Sequence, residues 1–107
     1  MREIEFKGQR VDNGEWVHGH YIENSIDSPC IIDYDANQFE IKKESVSQYI
    51  GHKDKNNAKI YENDRVLYDG VLGNVFYSDD LAMFMVRFDY TNSVYSFDTL
   101  DRDVEVV

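Results

Sequence analysis

The chain has 107 residues and a mass of 12.6 kDa, which fits one ordinary domain or two small lobes. Hydrophobic residues make up 42% of it and aromatic residues 14%, which excludes a disordered segment. With 11 Lys and Arg against 21 Asp and Glu, the net charge is −10. This balance disfavours general binding to nucleic acid or to anionic membranes, because phosphate groups need excess cations facing them.

Period-two patterning, which is typical of strands, runs through the first half of the chain. Ile4 and Phe6 alternate with charged residues, so we expect a strand there with one buried and one solvent-exposed face. Asn13-Gly14 predicts a tight turn, because both residue types tolerate positive φ. We expect further strands at 16–22, at 30–34 and around Phe39 and Ile41, and the only helix candidate is a short turn within 43–49.

The second half continues as short strands separated by turn signals. Asn56-Asn57 predicts a tight turn inside the polar segment 51–59. Eight of the fifteen aromatic residues fall between Tyr68 and Phe97, and we expect a five-stranded barrel to bury them as its core. The strand-like segments are 65–68, 72–77, 82–90, 94–97 and 104–107.

Charge is distributed unevenly along the chain. Residues 1–50 carry a net charge of −5 and residues 66–107 a net charge of −6, whereas residues 51–65 carry +1. This connector is therefore the one segment suited to phosphate contact.

The connector also carries the most specific motif of the chain. Residues 48–66 read QYIGHKDKNNAKIYENDRV. This segment resembles the pattern Q-Y-T-G-L-K-D-K-N-G-K-x-I-Y-E-G-D-I-V at the centre of the YopX-like family of phage and prophage proteins. Met1-Arg2-Glu3-Ile4 and Gly14-Glu15-Trp16-Val17 are similar to the N-terminus of that family, so the resemblance spans most of the chain.

Three departures from the family pattern stand out. The two family glycines are replaced by Asn57 and Asn63, and His52 stands where the family usually has Leu. Asparagine tolerates a left-handed backbone better than other non-glycine residues, so we expect the turn geometry to survive both changes.

The resemblance implies a mainly β protein of phage or prophage origin with an SH3-like barrel at its C-terminus. Together with the strand pattern, it predicts an N-terminal antiparallel sheet followed by this small barrel, with little helix. We assign residues 1–60 to an N-terminal β lobe that ends in the connector hairpin, and residues 61–107 to the barrel lobe. The two lobes are expected to pack as one compact unit.

One acidic segment has the spacing of a calcium loop. Asp33, Asp35, Asn37 and Glu44 occupy positions 1, 3, 5 and 12 of an EF-hand. However, Gln38 stands where the loop needs glycine, and strand-like residues precede it where a helix is required. We therefore interpret the segment as an acidic strand end running into a turn.

Two histidines, His18 and His20, share one face of a predicted strand, which is a pattern found among the ligands of metal sites. Trp16 and Ile22 share that face, so a half-buried aromatic stripe explains the pattern equally well. We assign no metal, no cofactor and no catalytic residue, and leave metal binding at the two histidines open. Cys30 has no nearby base, and no phosphate-binding or nucleophile-elbow motif occurs.

The candidate interaction residues lie in the connector. Lys53, Lys55 and Lys59 form a basic turn flanked by Tyr49 and Tyr61. Cations interleaved with aromatic rings bind single-stranded nucleic acid through phosphate contacts and base stacking. Acidic residues sit among them, so a solvated hairpin that sets the angle between the lobes is the competing interpretation.

The leading functional hypothesis is a non-enzymatic accessory protein, derived from a phage, whose acidic surface binds another protein. The alternative is a nucleic-acid-binding module that uses the basic turn, and two further alternatives are a mimic of DNA charge and a metal-dependent hydrolase. A single cysteine and the lack of long apolar runs predict a cytoplasmic protein without a membrane segment. Self-association stays open.

Overall fold

The computed structural model describes residues 4–23, 29–91, 93–100 and 103–107. Within these ranges the protein is mainly β with little helix, as the sequence predicts. They contain no helix with the length and apolar character needed to cross a membrane. The chain divides into unit 1, Met1–Tyr49, and unit 2, Ile50–Val107. The connector hairpin therefore falls in the second unit, whereas the sequence predicts a boundary after residue 60.

Unit 1 is an antiparallel sheet. Its strands are hydrogen-bonded in the order β4-β3-β2-β1-β5, and β5 continues into unit 2. The elements are β1 (Phe6–Gln9), β2 (Trp16–Ile22), β3 (Cys30–Ile32), β4 (Gln38–Glu40), a 3₁₀ turn (Lys43–Ser45) and β5 (Ser47–Lys53).

The sheet of unit 1 curls until the end of β4 meets the end of β1. An isolated bridge pairs Arg10 with Ile41, and the Val11 N–H donates to the Glu40 carbonyl at 3.0 Å. Gly19 lies so close to β3 that an added Cβ would collide with the Ile32 carbonyl oxygen. The backbone of β2 at Gly19 therefore leaves no room for a side chain.

The start of unit 1 corrects the predicted alternation of buried and exposed residues. Glu5, which was expected on the solvent-exposed face, is only 4% exposed, while Ile4 is 61% exposed. The Tyr34 hydroxyl donates a hydrogen bond to Glu5 Oε1 at 2.6 Å, which stabilises the buried carboxyl. The prediction was wrong here because β1 begins at Phe6, so Ile4 lies outside the sheet.

The predicted helical turn within 43–49 is shorter than expected. The 3₁₀ turn ends at Ser45, and β5 begins two residues later. Ser47 and Gln48 pair with Lys7 and Phe6 of β1, so sheet pairing overrides the local helical tendency.

Unit 2 contains the second half of β5, which pairs with β6, and a five-stranded antiparallel sheet in the order β10-β9-β8-β7-β11. The chain passes through β7 to β10 as consecutive hairpins, turns through α1, and returns to pair β11 with β7. This order, with a helical turn before the last strand, is that of an SH3-like barrel. The elements are β6 (Lys59–Tyr61), β7 (Arg65–Tyr68), β8 (Val71–Ser78), β9 (Met83–Phe88), β10 (Val94–Ser96), α1 (Phe97–Leu100) and β11 (Glu105–Val106).

The core of unit 2 is mostly aliphatic. Of the eight aromatic residues expected to fill it, Phe88 and Phe97 are buried in it, whereas Tyr77, Tyr90 and Tyr95 are exposed. The prediction of a core built from all eight was wrong, because short strands pack branched aliphatic chains inside and tyrosine hydroxyls favour contact with water. The buried cluster is Ile50, Ile60, Val66, Val75, Val86, Phe88, Phe97, Leu100 and Val104.

Replacing Gly19 by alanine is expected to lower the free energy of unfolding by about 3 kcal/mol, because the new Cβ would overlap the backbone of β3. The matched control is Gly14→Ala. Gly14 also has a positive φ of 75°, but the nearest atom to its added Cβ would be Gln9 Nε2 at 3.8 Å. The control therefore costs only about 1 kcal/mol of backbone strain.

Urea denaturation followed by circular dichroism compares the two variants. Equal losses of stability would show that the approach of β2 to β3 is not what requires a glycine at position 19.

Candidate functional site

Unit 2 carries a concave surface with a volume of 370 Å³, which we call the aromatic groove. This volume lies within the range of about 300–1,000 Å³ that is usual for binding pockets. The floor belongs to the core or packs against it and consists of Tyr68, Val71, Phe88 and Leu100. The rim comes from the β7–β8 turn, the β9–β10 turn and β10, and consists of Asp69, Thr91, Ser93 and Tyr95.

Three aromatic rings adjoin one another in the aromatic groove. The ring centroids of Tyr68 and Phe88 are 6.1 Å apart, and those of Phe88 and Tyr95 are 5.7 Å apart with an interplanar angle of 61°. Phe88 is 5% exposed and anchors the set in the core, whereas Tyr95 is 41% exposed and faces solvent. Such rings attract apolar groups through burial and cations through their negative faces.

A tight hairpin places Asp69, whose carboxylate is the one that lines the groove among the described residues. Asp69 and Gly70 have φ values of 48° and 80°, and Tyr68 pairs directly with Val71. Two successive positive φ values in a two-residue connection are typical of a type I′ turn. Asp-Gly is a favoured pair for such a turn, and this one carries Asp69 to the rim.

The arginine of β7 is engaged away from the groove. By alternation along the strand, Arg65 lies on the face opposite to Val66 and Tyr68. Its guanidinium donates to Asp89 Oδ1 at 3.0 Å and to Asn74 Oδ1 at 2.9 Å. Hydrogen bonding from Arg65 lowers the pKa of the Asp89 carboxyl.

Burial separates the five predicted interaction residues. Tyr49 and Tyr61 are only 7% and 5% exposed, so their rings lie inside the protein and offer no open face for base stacking. Lys53 and Lys55 are exposed, and Lys59 is half-buried. An interaction role for the three lysines stays a prediction.

Asp54, rather than the lysines, organises the basic turn. Its Oδ1 accepts hydrogen bonds from the N–H groups of Asn56 at 2.9 Å and Ala58 at 2.8 Å. Its Oδ2 accepts one from the Val106 N–H in β11 at 2.9 Å. The carboxylate therefore ties the turn to the last strand of unit 2.

The ionisation of Asp54 reflects these contacts. Burial is the largest single influence and favours the protonated form, since the residue is only 6% exposed. The N–H donors of Val106, Ala58 and Asn56, followed by the charge of Lys55, outweigh burial and lower the pKa of the Asp54 carboxyl. The folded chain thus stabilises the charged form.

The acidic segment with calcium-loop spacing has the same turn geometry. Asp33 Oδ1 accepts the N–H groups of Asp35 at 3.0 Å and Asn37 at 2.9 Å. Ala36 has a φ of 67°, which matches the φ of 68° at Asn57 in the Asp54 turn. The spacing of Asp33, Asp35 and Asn37 therefore encodes a hairpin turn.

The two histidines of β2 are exposed on its outer face together with Trp16 and Ile22, which are 47% and 45% exposed. The predicted stripe is therefore more exposed than half-buried, because the curled sheet turns its other face inward. The His20 ring lies edge-on to Tyr34 with centroids 6.2 Å apart. Across the described ranges, no three His, Cys, Asp or Glu side chains gather as a metal site.

A family model described as "YopX protein" matches residues 5–106 of the chain. The chain belongs to the YopX family. Among curated proteins, no match to the chain is found. The family assignment confirms the resemblance carried by residues 48–66, and it covers both units.

The structure explains the departures from the YopX motif. Asn57 and Asn63, which replace the family glycines, have φ values of 68° and 73°. Asparagine adopts this left-handed conformation at little cost, so the turns are retained as expected. His52, which replaces a leucine, stacks on the Phe97 ring with centroids 5.7 Å apart and an interplanar angle of 18°.

Replacing Asp54 by asparagine is expected to lower the free energy of unfolding by about 2 kcal/mol at neutral pH. Asparagine keeps one acceptor oxygen but puts an NH₂ group in place of the other. This donor would then face another donor, either the Val106 N–H or the N–H groups of Asn56 and Ala58. The matched control is Asp33→Asn, which alters the same kind of turn without a bond to another strand, and we expect a much smaller effect.

The stability difference between wild type and Asp54→Asn should depend on pH. Because the folded pKa is lowered, the contribution of Asp54 is present above its ordinary value of 3.8 and is lost as pH falls through the folded value. Urea denaturation from neutral to acidic pH should show the gap closing at acidic pH. A gap that persists unchanged in acid would contradict the role of the carboxylate charge.

Proposed function

We propose that this chain is a non-enzymatic protein-binding module whose SH3-like unit accepts a segment of a partner protein in the aromatic groove. The observation that carries the proposal is the groove itself, in which Tyr68 and Phe88 form a floor continuous with the core and Tyr95 forms an exposed wall. A concave surface of aromatic and aliphatic side chains buries apolar area of a partner and excludes water from the contact.

Exposed tyrosines mark β10 and the turn before it. Tyr90 in the turn is 91% exposed, and Tyr95 on the groove is 41% exposed. Exposed tyrosines are typical of protein interaction sites, where tyrosine often contributes a large share of the binding energy. This supports a partner that covers both β10 and the turn that precedes it.

Charge supports a basic partner. Residues 50–107 carry 6 basic and 11 acidic side chains, a net charge of −5, within a chain of net charge −10. An acidic surface accelerates encounter with basic proteins and repels acidic ones. An accessory protein of phage or prophage origin, acting in the cytoplasm on such a partner, fits these features.

Selection of a random peptide library on the immobilised full chain is expected to return peptides that bind the aromatic groove. The Tyr95→Ala variant should bind the selected peptides at least about tenfold more weakly, because it removes the exposed wall of the groove. The matched control is Tyr77→Ala. Tyr77 is a tyrosine of the same unit with a similar exposure of 42%, and it lines a different concavity.

Binding constants would be measured by fluorescence anisotropy, after thermal melts show that both variants are folded. Peptides that bind the two variants equally well, or a selection that returns no binder, would contradict the proposal.

A further inference from the structure

The aromatic groove combines two features that each attract a cation. The rings of Tyr68, Phe88 and Tyr95 adjoin one another along it, with neighbouring centroids 5.7–6.1 Å apart. The exposed carboxylate of Asp69 stands at the rim, held there by its hairpin turn. A basic side chain that lies against such rings gains cation–π attraction, and a carboxylate nearby adds an ion pair.

Three described cations of unit 2 have partners away from Asp69. Arg65 is paired with Asp89, Arg87 lies over the Phe76 ring at 4.6 Å from its centroid, and Lys55 lies 3.6 Å from Glu105. Within the described ranges no lysine or arginine lines the groove. Among these residues, Asp69 therefore gives the rim a negative charge with which an incoming cation can pair.

We infer that the aromatic groove selects a basic side chain, so that the partner segment presents an arginine or a lysine flanked by apolar residues to Tyr95 and Asp69. This inference rests on the proposed function and names the chemistry of the partner. Arginine suits the site best, because its planar guanidinium stacks on a ring while its N–H groups reach a carboxylate.

A second copy of the chain is a poorer occupant. Each copy carries a net charge of −10, so two copies repel one another. A basic segment of a different protein is attracted by the same charge. The occupant is therefore a peptide segment of a basic partner.

The test compares two short capped peptides in a nuclear magnetic resonance titration of the full chain. In one peptide a single arginine is flanked by leucines, and in the other citrulline replaces the arginine. Citrulline has nearly the same shape but no charge. The arginine peptide is expected to shift the amide signals of Asp69, Thr91 and Tyr95, and to bind about tenfold more tightly than the citrulline peptide.

The variant Asp69→Asn separates the charge of the rim from its shape. Asn-Gly is a favoured pair for a type I′ turn, so the variant is expected to fold. It should reduce the preference for the arginine peptide several-fold and leave the citrulline peptide unchanged. The matched control is Asp80→Asn, which removes the same charge from the exposed β8–β9 turn and should leave the preference intact.

Three results would overturn the inference. If the two peptides bound the groove with equal affinity, the groove would bind peptides but would not select a cation. Shifts spread over the acidic surface, or an equal effect of Asp80→Asn, would show charge attraction without a site. No shift from either peptide would also refute it, and the peptide selection with Tyr95→Ala decides separately whether the groove binds peptides at all.

Discussion

The buried carboxylate of Asp54 connects the turn after β5 to the last strand of unit 2. It accepts three backbone N–H groups at 2.8–2.9 Å, two from its own turn and one from Val106. Burying a carboxylate is costly unless its oxygens are satisfied, so this geometry is retained only if all three donors stay in place. The Lys55 N–H also donates to the Val104 carbonyl at 2.9 Å, which fixes the turn against the segment leading into β11. The sequence locates this turn, but its partner strand lies 52 residues away.

The position of β11 in turn determines the hydrogen-bonding partner on one side of β7. Val106 pairs with Val66, so β7 lies between β8 and β11 in the five-stranded sheet. β7 ends at Tyr68, which forms part of the groove floor, and the turn that follows carries Asp69 to the rim. The shape of the aromatic groove therefore depends on a carboxylate that is not among its lining residues. Loss of the Asp54 contacts would loosen β11 first, and through it the edge of β7 from which the groove is built.

Local patterns predicted the strands well and the burial of individual side chains poorly. Phe84, Val86 and Phe88 alternate inward along β9 as expected, because the period of two is a property of the strand itself. Which aromatic rings reach the interior depends on how the sheet curls, and this is set by pairings between distant segments. Glu5 is buried, and its carboxyl accepts a hydrogen bond from the Tyr34 hydroxyl, 29 residues away, which no local pattern predicts. The aromatic groove could not be predicted from the sequence for the same reason, since its lining residues come from the five elements β7, β8, β9, β10 and α1 and from the turns between them.

The motif at residues 48–66, which resembles the YopX pattern, contributes to the fold of unit 2 and not to the lining of the groove. Within residues 48–66, Asp54 holds a turn against β11, Ile60 is buried in the core, and Asp64 accepts a hydrogen bond from the Tyr61 N–H at 2.9 Å. The groove residues Tyr68 and Tyr95 follow the motif in the chain. The motif therefore constrains how unit 2 folds, whereas the residues that line the groove lie outside it. The chemistry proposed for the partner rests on the groove itself, where aromatic rings beside a carboxylate favour a basic segment.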